Sequence, residues 1–180
     1  MLDACVLYPA PVRDLLLSFA DAGLFKPKWT AEIQDEWSRN LLLNRRDLTK
    51  DQLLLTIKAM DTAFPDANVE NYRSLIKSIE LPDPNDRHVV AAAVRSKADV
   101  IVTYNLKDFP AIALGEFDIE VQHPDTFLFN VFDLNPDKAI VSFKKLVSRL
   151  KNPPKSAENV LETLKKANLN KIIEKLREVR

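Results

Sequence analysis

Four acidic residues in separate parts of the chain stand where their carboxylates could meet and do chemistry. Asp3 lies near the start, Glu36 and Asp86 lie on predicted helices, and Asp108 follows a predicted strand. Carboxylate oxygens are the ligands that the hard cations Mg²⁺ and Mn²⁺ prefer. Such a site activates water and neutralises phosphate charge, which side chains alone do poorly. The four acids are therefore the candidate catalytic and metal-binding residues.

The composition argues against most other kinds of site. Only two glycines occur, which nearly excludes the glycine-rich loops that cradle nucleotides. The single cysteine, Cys5, rules out an internal disulfide and any multi-cysteine zinc site. Two histidines, His88 and His123, are too few for a typical histidine-rich zinc centre. Any chemistry must therefore depend on carboxylates, hydroxyls or a bound metal ion.

Asp3 interrupts the short apolar run 2–7, which is typical of a buried strand. An unpaired charge buried there would cost several kcal/mol, so Asp3 needs a compensating partner such as a metal ion. The alternative is that Asp3 caps neighbouring backbone amides.

Asp86 belongs to the predicted helix 83–97, where Asp83 is the expected N-cap and a proline follows it. At helical spacing Asp86 shares a face with Val89 and Val90 and points inward. The alternative is a capping-box-like pair of the two acids. We assign capping to Asp83 and the site to Asp86.

The β-branched run 99–103 predicts a strand that is buried on both faces and ends at Thr103. Ligands of open parallel sheets bind beyond the carboxyl ends of the strands, so Thr103, Asn105 and Asp108 are expected in that crevice. Asn105 and Asp108 are also common turn residues, which leaves a purely local role open.

Glu36 lies on a predicted helix, 30–44, that Thr30 caps. It stands at the edge of the apolar stripe that contains Ile33 and Trp37, so it can reach a buried crevice. Glu32 is the reserve candidate on the same helix.

Strands and helices alternate along the first part of the chain, which predicts an α/β fold with a parallel sheet covered by helices on both faces. The predicted helices are 12–22, 30–44, 49–63, 83–97, 124–132, 136–151, 157–167 and 169–179. The predicted strands are 2–7, 99–103 and 119–121, with a brief strand in 24–29 and a strand remnant before a short helix in 69–81.

The last part of the chain is predicted to be entirely helical, and we place a domain boundary between 1–134 and 135–180. Residues 141–180 hold eleven Lys and Arg against four Asp and Glu, whereas the other 140 residues hold fifteen against twenty-two. A basic tail on an acidic body suits a polyanion or an acidic partner. The alternative is a solvated charged helix.

No run reaches the roughly 20 apolar residues that span a bilayer. The start of the chain also lacks the features of a signal peptide. We therefore expect no membrane association and a cytoplasmic location.

Four stretches resemble the PIN-domain family, in particular the VapC-like toxins of bacterial toxin–antitoxin systems. They are 2–10, 29–37, 83–88 and 101–110. The resemblance covers about 1–125, and the helical tail looks like an extension that a subset of such toxins carries. The chain begins only two residues before Asp3, so the first strand is short for this family and a truncated product is left open.

The resemblance implies a three-layer sandwich with a central parallel sheet of about five strands, followed by the helical C-terminal extension. It also implies a Mg²⁺- or Mn²⁺-dependent endoribonuclease, an RNA substrate and a cognate antitoxin protein of a type II toxin–antitoxin system. A homodimer is left open.

Carried over by position, Asp3, Glu36, Asp86 and Asp108 match the acidic residues of the family. Many relatives have an aspartate where this chain has Asn105, so the fourth acid departs from that pattern. Thr103, Asn105 and Asp83 are expected to orient the ligands from behind.

A second hypothesis is a catalytically silent PIN scaffold that binds RNA or a partner protein through its basic tail. A DNA nuclease is a third hypothesis, and it is less well supported because the body lacks long basic insertions.

Overall fold

The computed structural model describes residues 1–177. Its packing divides the chain into two compact units. Unit 1 contains residues 1–8 and 27–123, and unit 2 contains residues 9–26 and the chain from 124 onward. The helix at 124–134, which the sequence analysis assigned to the first domain, belongs to unit 2. The functional boundary after residue 134 stays a prediction.

Unit 1 combines a small sheet with helices. Its helices are α1 (Ala4–Leu7), α3 (Ala31–Asn44), α4 (Lys50–Ala63), α5 (Arg87–Ser96) and α6 (Ala111–Leu114), and its strands are β1 (Val100–Val102) and β2 (Glu120–Gln122). Four 3-10 turns occur at Arg73–Ser78, Pro84–Asp86, Leu106–Asp108 and Gly115–Phe117.

Unit 2 is entirely helical in its described part. Its helices are α2 (Ala10–Asp21), α7 (Pro124–Leu134), α8 (Pro136–Arg149), α9 (Ala157–Lys166) and α10 (Asn170–Arg177). No helix among residues 1–177 is long and apolar enough to cross a membrane.

Each predicted helix is present, with its ends shifted by a few residues. The predicted helix 83–97 begins as the 3-10 turn Pro84–Asp86 before α5, because Asp83 accepts the N–H of Asn85 and tightens the first turn. The last two residues of the predicted helix 169–179 lie outside the described residues. The short helices α1 and α6 were not predicted.

The parallel pairing of β1 with β2 confirms the strands predicted at 99–103 and 119–121, and it pairs Val102 with Gln122. Among residues 1–177 these are the only two strands, so the expected sheet of about five strands is not confirmed. Backbone hydrogen bonds nevertheless link five extended segments side by side. Their lateral order is 67–69, 28–29, 1–3, β1 and β2.

The segments 28–29 and 67–69 are too short to count as strands. The first lies between Pro27 and the N-cap of α3, Thr30, and it contributes a single parallel bridge between Trp29 and Asn68. The brief strand predicted in 24–29 is therefore reduced to that bridge. In the region 69–81 the predicted strand remnant is limited to Val69, at the end of segment 67–69, and the predicted short helix is the 3-10 turn Arg73–Ser78.

The strand predicted at 2–7 is wrong beyond Asp3. Leu2 makes a parallel bridge to Val102, but the chain then turns into α1. The Asp3 side chain accepts the N–H of Ala4 at 2.7 Å and its backbone carbonyl accepts the N–H of Val6, so the helix starts at once. A short apolar run buried on all sides fits a helix turn as well as a strand.

The core of unit 2 includes Phe143 and Leu146 of α8, which are buried. A buried carboxylate joins α7 to α10. Asp125 is 6% exposed and accepts the backbone N–H groups of Asn170, Lys171 and Ile172, each at 3.0 Å. It therefore caps a helix that begins 45 residues further along the chain.

We expect Asp125→Ala to destabilise unit 2 by about 2–3 kcal/mol, because three buried N–H groups lose a charged acceptor. Urea unfolding followed by circular dichroism measures this change. Asp137→Ala removes an exposed acid from the first turn of α8 and serves as the control. Equal stability of the two variants would contradict the capping role.

Candidate active site

Asp3 lies at the junction of α1 and the carboxyl end of β1, with both carboxylate oxygens bound. Oδ1 accepts the N–H of Ala4 and Oδ2 accepts the hydroxyl of Thr103, both at 2.7 Å. The residue is 5% exposed. The capping interpretation of Asp3 is therefore correct as far as Oδ1 goes, while Oδ2 takes part in a second contact that joins residues 100 positions apart.

Cys5 is a member of this junction that the sequence analysis did not assign to the site. Its thiol donates to Asp3 Oδ2 at 3.2 Å, lies 3.3 Å from Thr103 Oγ1 and accepts the N–H of Tyr104 at 3.3 Å. Burial, followed by the charge of Asp3, raises the pKa of Cys5 to about 12, so the thiol stays protonated. The sequence signal that could have indicated Cys5 as part of the site is its position two residues after Asp3.

The ionisation of Asp86 is influenced by the charges of the neighbouring carboxylates. Its pKa is raised from 3.8 to about 7, mainly by burial and then, in decreasing order, by the charges of Asp3, Asp83, Asp108 and Glu36. All four predicted site acids are thus close enough to interact electrostatically around Asp86. Neighbouring like charges disfavour a second ionised carboxylate, which is the condition that a bound cation relieves.

Glu36 is 39% exposed at its side chain, and burial followed by the charge of Asp3 raises its pKa. His88 faces it, with Nε2 3.8 Å from Glu36 Oε2. His88 is 7% exposed, and burial lowers its pKa, which favours the neutral ring. Composition alone gave His88 no role, although its position two residues after Asp86 was a signal that it lies near the site. Glu32, the reserve acid, accepts the hydroxyl of Tyr72 at 3.0 Å.

The loop after β1 carries the remaining predicted residues. The N–H of Asn105 donates to Thr103 Oγ1 at 3.0 Å, and the N–H of Asp108 donates to the carbonyl of Asn105 at 3.0 Å. Both residues thus take part in a local turn, and Asp108 is half-buried. Asp83 Oδ1 accepts the N–H of Asn85 at 2.9 Å, which confirms the capping interpretation of Asp83.

The donor set fits a hard divalent cation in its chemistry, since it offers carboxylate oxygens whose charges repel one another. These side chains are not already arranged to surround an ion. In the described part of the chain, no three His, Cys, Asp or Glu side chains stand together closely enough to hold a metal ion. A cation bound here would draw the acids inward.

Two family models match the chain. One is described as the PIN domain and covers residues 1–107, and the other is described as the VapC50 C-terminal domain and covers residues 124–178. A protein of Mycobacterium tuberculosis, "Putative ribonuclease VapC50", is 43% identical over 79 residues. The matched part is 44% of this chain and 47% of that protein, so it spans about half the relative's length. No solved structure matches the chain.

The raised pKa of Asp86 predicts how the stability of the metal-free protein depends on pH. Between pH 4 and 7 the folded state retains a proton that the unfolded chain releases, so the free energy of unfolding falls as pH rises. Because Asp86 is partly exposed, we expect Asp86→Asn to increase the free energy of unfolding by only about 1 kcal/mol at pH 8 and to leave it unchanged near pH 4. Thermal melting in EDTA at both pH values measures this, with Asp35→Asn as the exposed control on α3. A less stable Asp86→Asn at pH 8 would contradict the repulsion.

A second prediction concerns metal binding itself. Millimolar Mn²⁺ or Mg²⁺ should raise the melting temperature, because the ion binds the folded protein and relieves the repulsion among the acids. The shift should be largest for the unmodified chain and much smaller for Asp86→Asn. An equal shift in both proteins would place the ion elsewhere.

Proposed function

The chain belongs to the PIN-domain family, and on that premise we propose that it is a Mg²⁺- or Mn²⁺-dependent endoribonuclease, the toxin of a type II toxin–antitoxin system. The observation that carries the proposal is the convergence of charge on Asp86, whose pKa is raised by burial and by four neighbouring acids. Such a cluster of like charges destabilises the fold unless an opposite charge neutralises it. A divalent cation is the opposite charge that carboxylate oxygens bind best.

Asp3, Glu36, Asp86 and Asp108 would hold the metal. When bound, a divalent ion in such a site lowers the pKa of water and neutralises charge on the phosphodiester. The protein's own contribution is orientation. Thr103 fixes Oδ2 of Asp3 from behind, and the N–H of Ala4 fixes Oδ1, so the carboxylate does not need to reorient.

Asn105 and Asp83 support the same acids from the loops, since Asn105 binds Thr103 and Asp83 shapes the turn that leads to Asp86. The half-buried positions of Asp86 and Asp108 leave these carboxylates accessible from the solvent side. A phosphate group can therefore approach the acids while the backbone that carries them stays fixed.

We further propose an RNA substrate, a cognate antitoxin protein and a cytoplasmic location, with nuclease function in 1–134 and a helical extension in 135–180. The word "ribonuclease" in the name of the Mycobacterium tuberculosis relative supports the substrate. The excess of seven positive charges in 141–180 supports contact between this extension and RNA phosphates or an acidic antitoxin segment.

A catalytically silent PIN scaffold is the second candidate. One observation favours it, namely that no three potential ligands in the described part of the chain already stand together. In that case the chain would bind RNA or a partner through its basic extension without cutting.

Cleavage of RNA by the purified chain in Mn²⁺, Mg²⁺ and EDTA distinguishes the two candidates. We expect metal-dependent cleavage that Asp86→Asn lowers by at least about 100-fold, since loss of even an outer-shell partner costs 10- to 100-fold. Asp35→Asn, on the exposed face of α3, should cleave like the unmodified chain.

Circular dichroism of each variant checks that the fold is retained. RNA binding without cleavage at any metal concentration would favour the silent scaffold. Retained cleavage by a folded Asp86→Asn would remove Asp86 from the site.

A further inference from the structure

Two aromatic side chains meet just beyond the carboxyl ends of β1 and β2. The rings of Tyr104 and His123 are 4.9 Å apart between centroids, and their planes cross at 83°. Their places follow from the register, because Val102 pairs with Gln122 and each chain then continues past the sheet edge. The two rings therefore lie at the edge where ligands of parallel sheets bind.

Backbone contacts tie Tyr104 to the carboxylate site. It directly follows Thr103, whose hydroxyl donates to Asp3 at 2.7 Å, and consecutive Cα atoms are about 3.8 Å apart. The N–H of Tyr104 also donates to Cys5 Sγ, which in turn contacts Asp3. The base of the Tyr104 side chain is thus held at a fixed position one residue away from the site.

The exposure of this pair differs from that of two similar pairs. The edge-to-face pair Trp29–Phe64 contains Trp29 at 0% exposure, so it belongs to the core. The pair Phe25–Phe127 also contains a buried ring, that of Phe127. Both Tyr104 and His123 are only half-buried, and an edge-to-face contact covers at most one face of one of the two rings.

The loop that follows offers further groups that recognise a nucleotide. Asn105 and Lys107 are exposed beside Tyr104. A flat aromatic face can stack on a base, an amide can bond to the edge of a base, and an ammonium group can contact a phosphate. The side chains that could make these three kinds of contact lie within residues 104–107.

We propose that Tyr104, held against His123, stacks on one unpaired base of the substrate next to the phosphate that is cut. This inference rests on the proposed function, since it assumes that RNA occupies the carboxylate site. The base must be unpaired because bases within an RNA duplex are already stacked on their neighbours and are out of reach of side chains. Tyr104 is thus a positioning residue for one nucleotide of the substrate.

The test uses the full chain with a short single-stranded RNA of mixed sequence and a matched strand that lacks bases. Cleavage in Mn²⁺ and binding in EDTA are measured for Tyr104→Leu, Tyr104→Phe and Phe64→Leu. We expect Tyr104→Leu to raise KM and Kd about ten-fold with kcat changed less than about two-fold, as loss of one stacking contact predicts. Tyr104→Phe keeps the ring and should behave like the unmodified chain.

The strand without bases should bind weakly to every variant, with no difference between Tyr104→Leu and Tyr104→Phe. Phe64→Leu removes a core edge-to-face pair, so it should lower the melting temperature and leave KM unchanged. Equal KM values for Tyr104→Leu and the unmodified chain would overturn the stacking role, and so would an equal rise in KM for Phe64→Leu.

The two hypotheses fail in different ways. If the unmodified chain binds RNA through Tyr104 but cuts none, the proposed nuclease function is wrong and the stacking role stands. If it cuts RNA and Tyr104→Leu has no effect, the stacking role is wrong and the nuclease function stands. If it neither binds nor cuts RNA, both are wrong.

Discussion

The hydrogen bond between Thr103 and Asp3 is the contact on which the candidate site depends. It places a carboxylate from the start of the chain at the carboxyl end of β1, 100 residues later. A buried carboxylate needs several donors, and Asp3 obtains them from a backbone amide, a hydroxyl and a thiol. Because these donors come from α1 and from the end of β1, the site forms only when both segments are in place.

Two buried aspartates show the difference between a structural carboxylate and one suited to chemistry. Asp125 accepts three backbone N–H groups at the start of α10 and serves the stability of unit 2. Asp3 is buried to a similar extent, yet its charge raises the pKa values of Asp86 and Glu36. An acid that disfavours the ionisation of its neighbours is poorly explained by stability alone, which is why the metal-binding interpretation is preferred for unit 1.

Repulsion among the acids also fits the open arrangement of the site. Without a cation, ionised carboxylates that approached one another closely would destabilise the fold. The backbone around them is nevertheless fixed, since Asp3, Thr103 and Asn105 are joined by successive hydrogen bonds. His88 lies beside Glu36 and is suited to limit the orientations of that side chain.

The sequence by itself predicted the eight longer helices and the two paired strands, because helical spacing, caps and β-branched runs are local signals. It also indicated four acids as site candidates, and their shared role as metal ligands stays a prediction. It also identified Asp83 as a cap, since proline after an aspartate has a direct conformational meaning. It did not determine that the chain turns into α1 after Asp3, because the four-residue apolar segment Ala4–Leu7 is too short to show a helical or strand period. Only the tertiary structure brought Cys5 and Thr103 to Asp3, His88 to Glu36 and Tyr104 to His123. Cys5 stands only two positions after Asp3, but the other contacts join residues 19 to 100 positions apart. The partners in those distant contacts are decided by how the extended segments align rather than by any pattern along the chain.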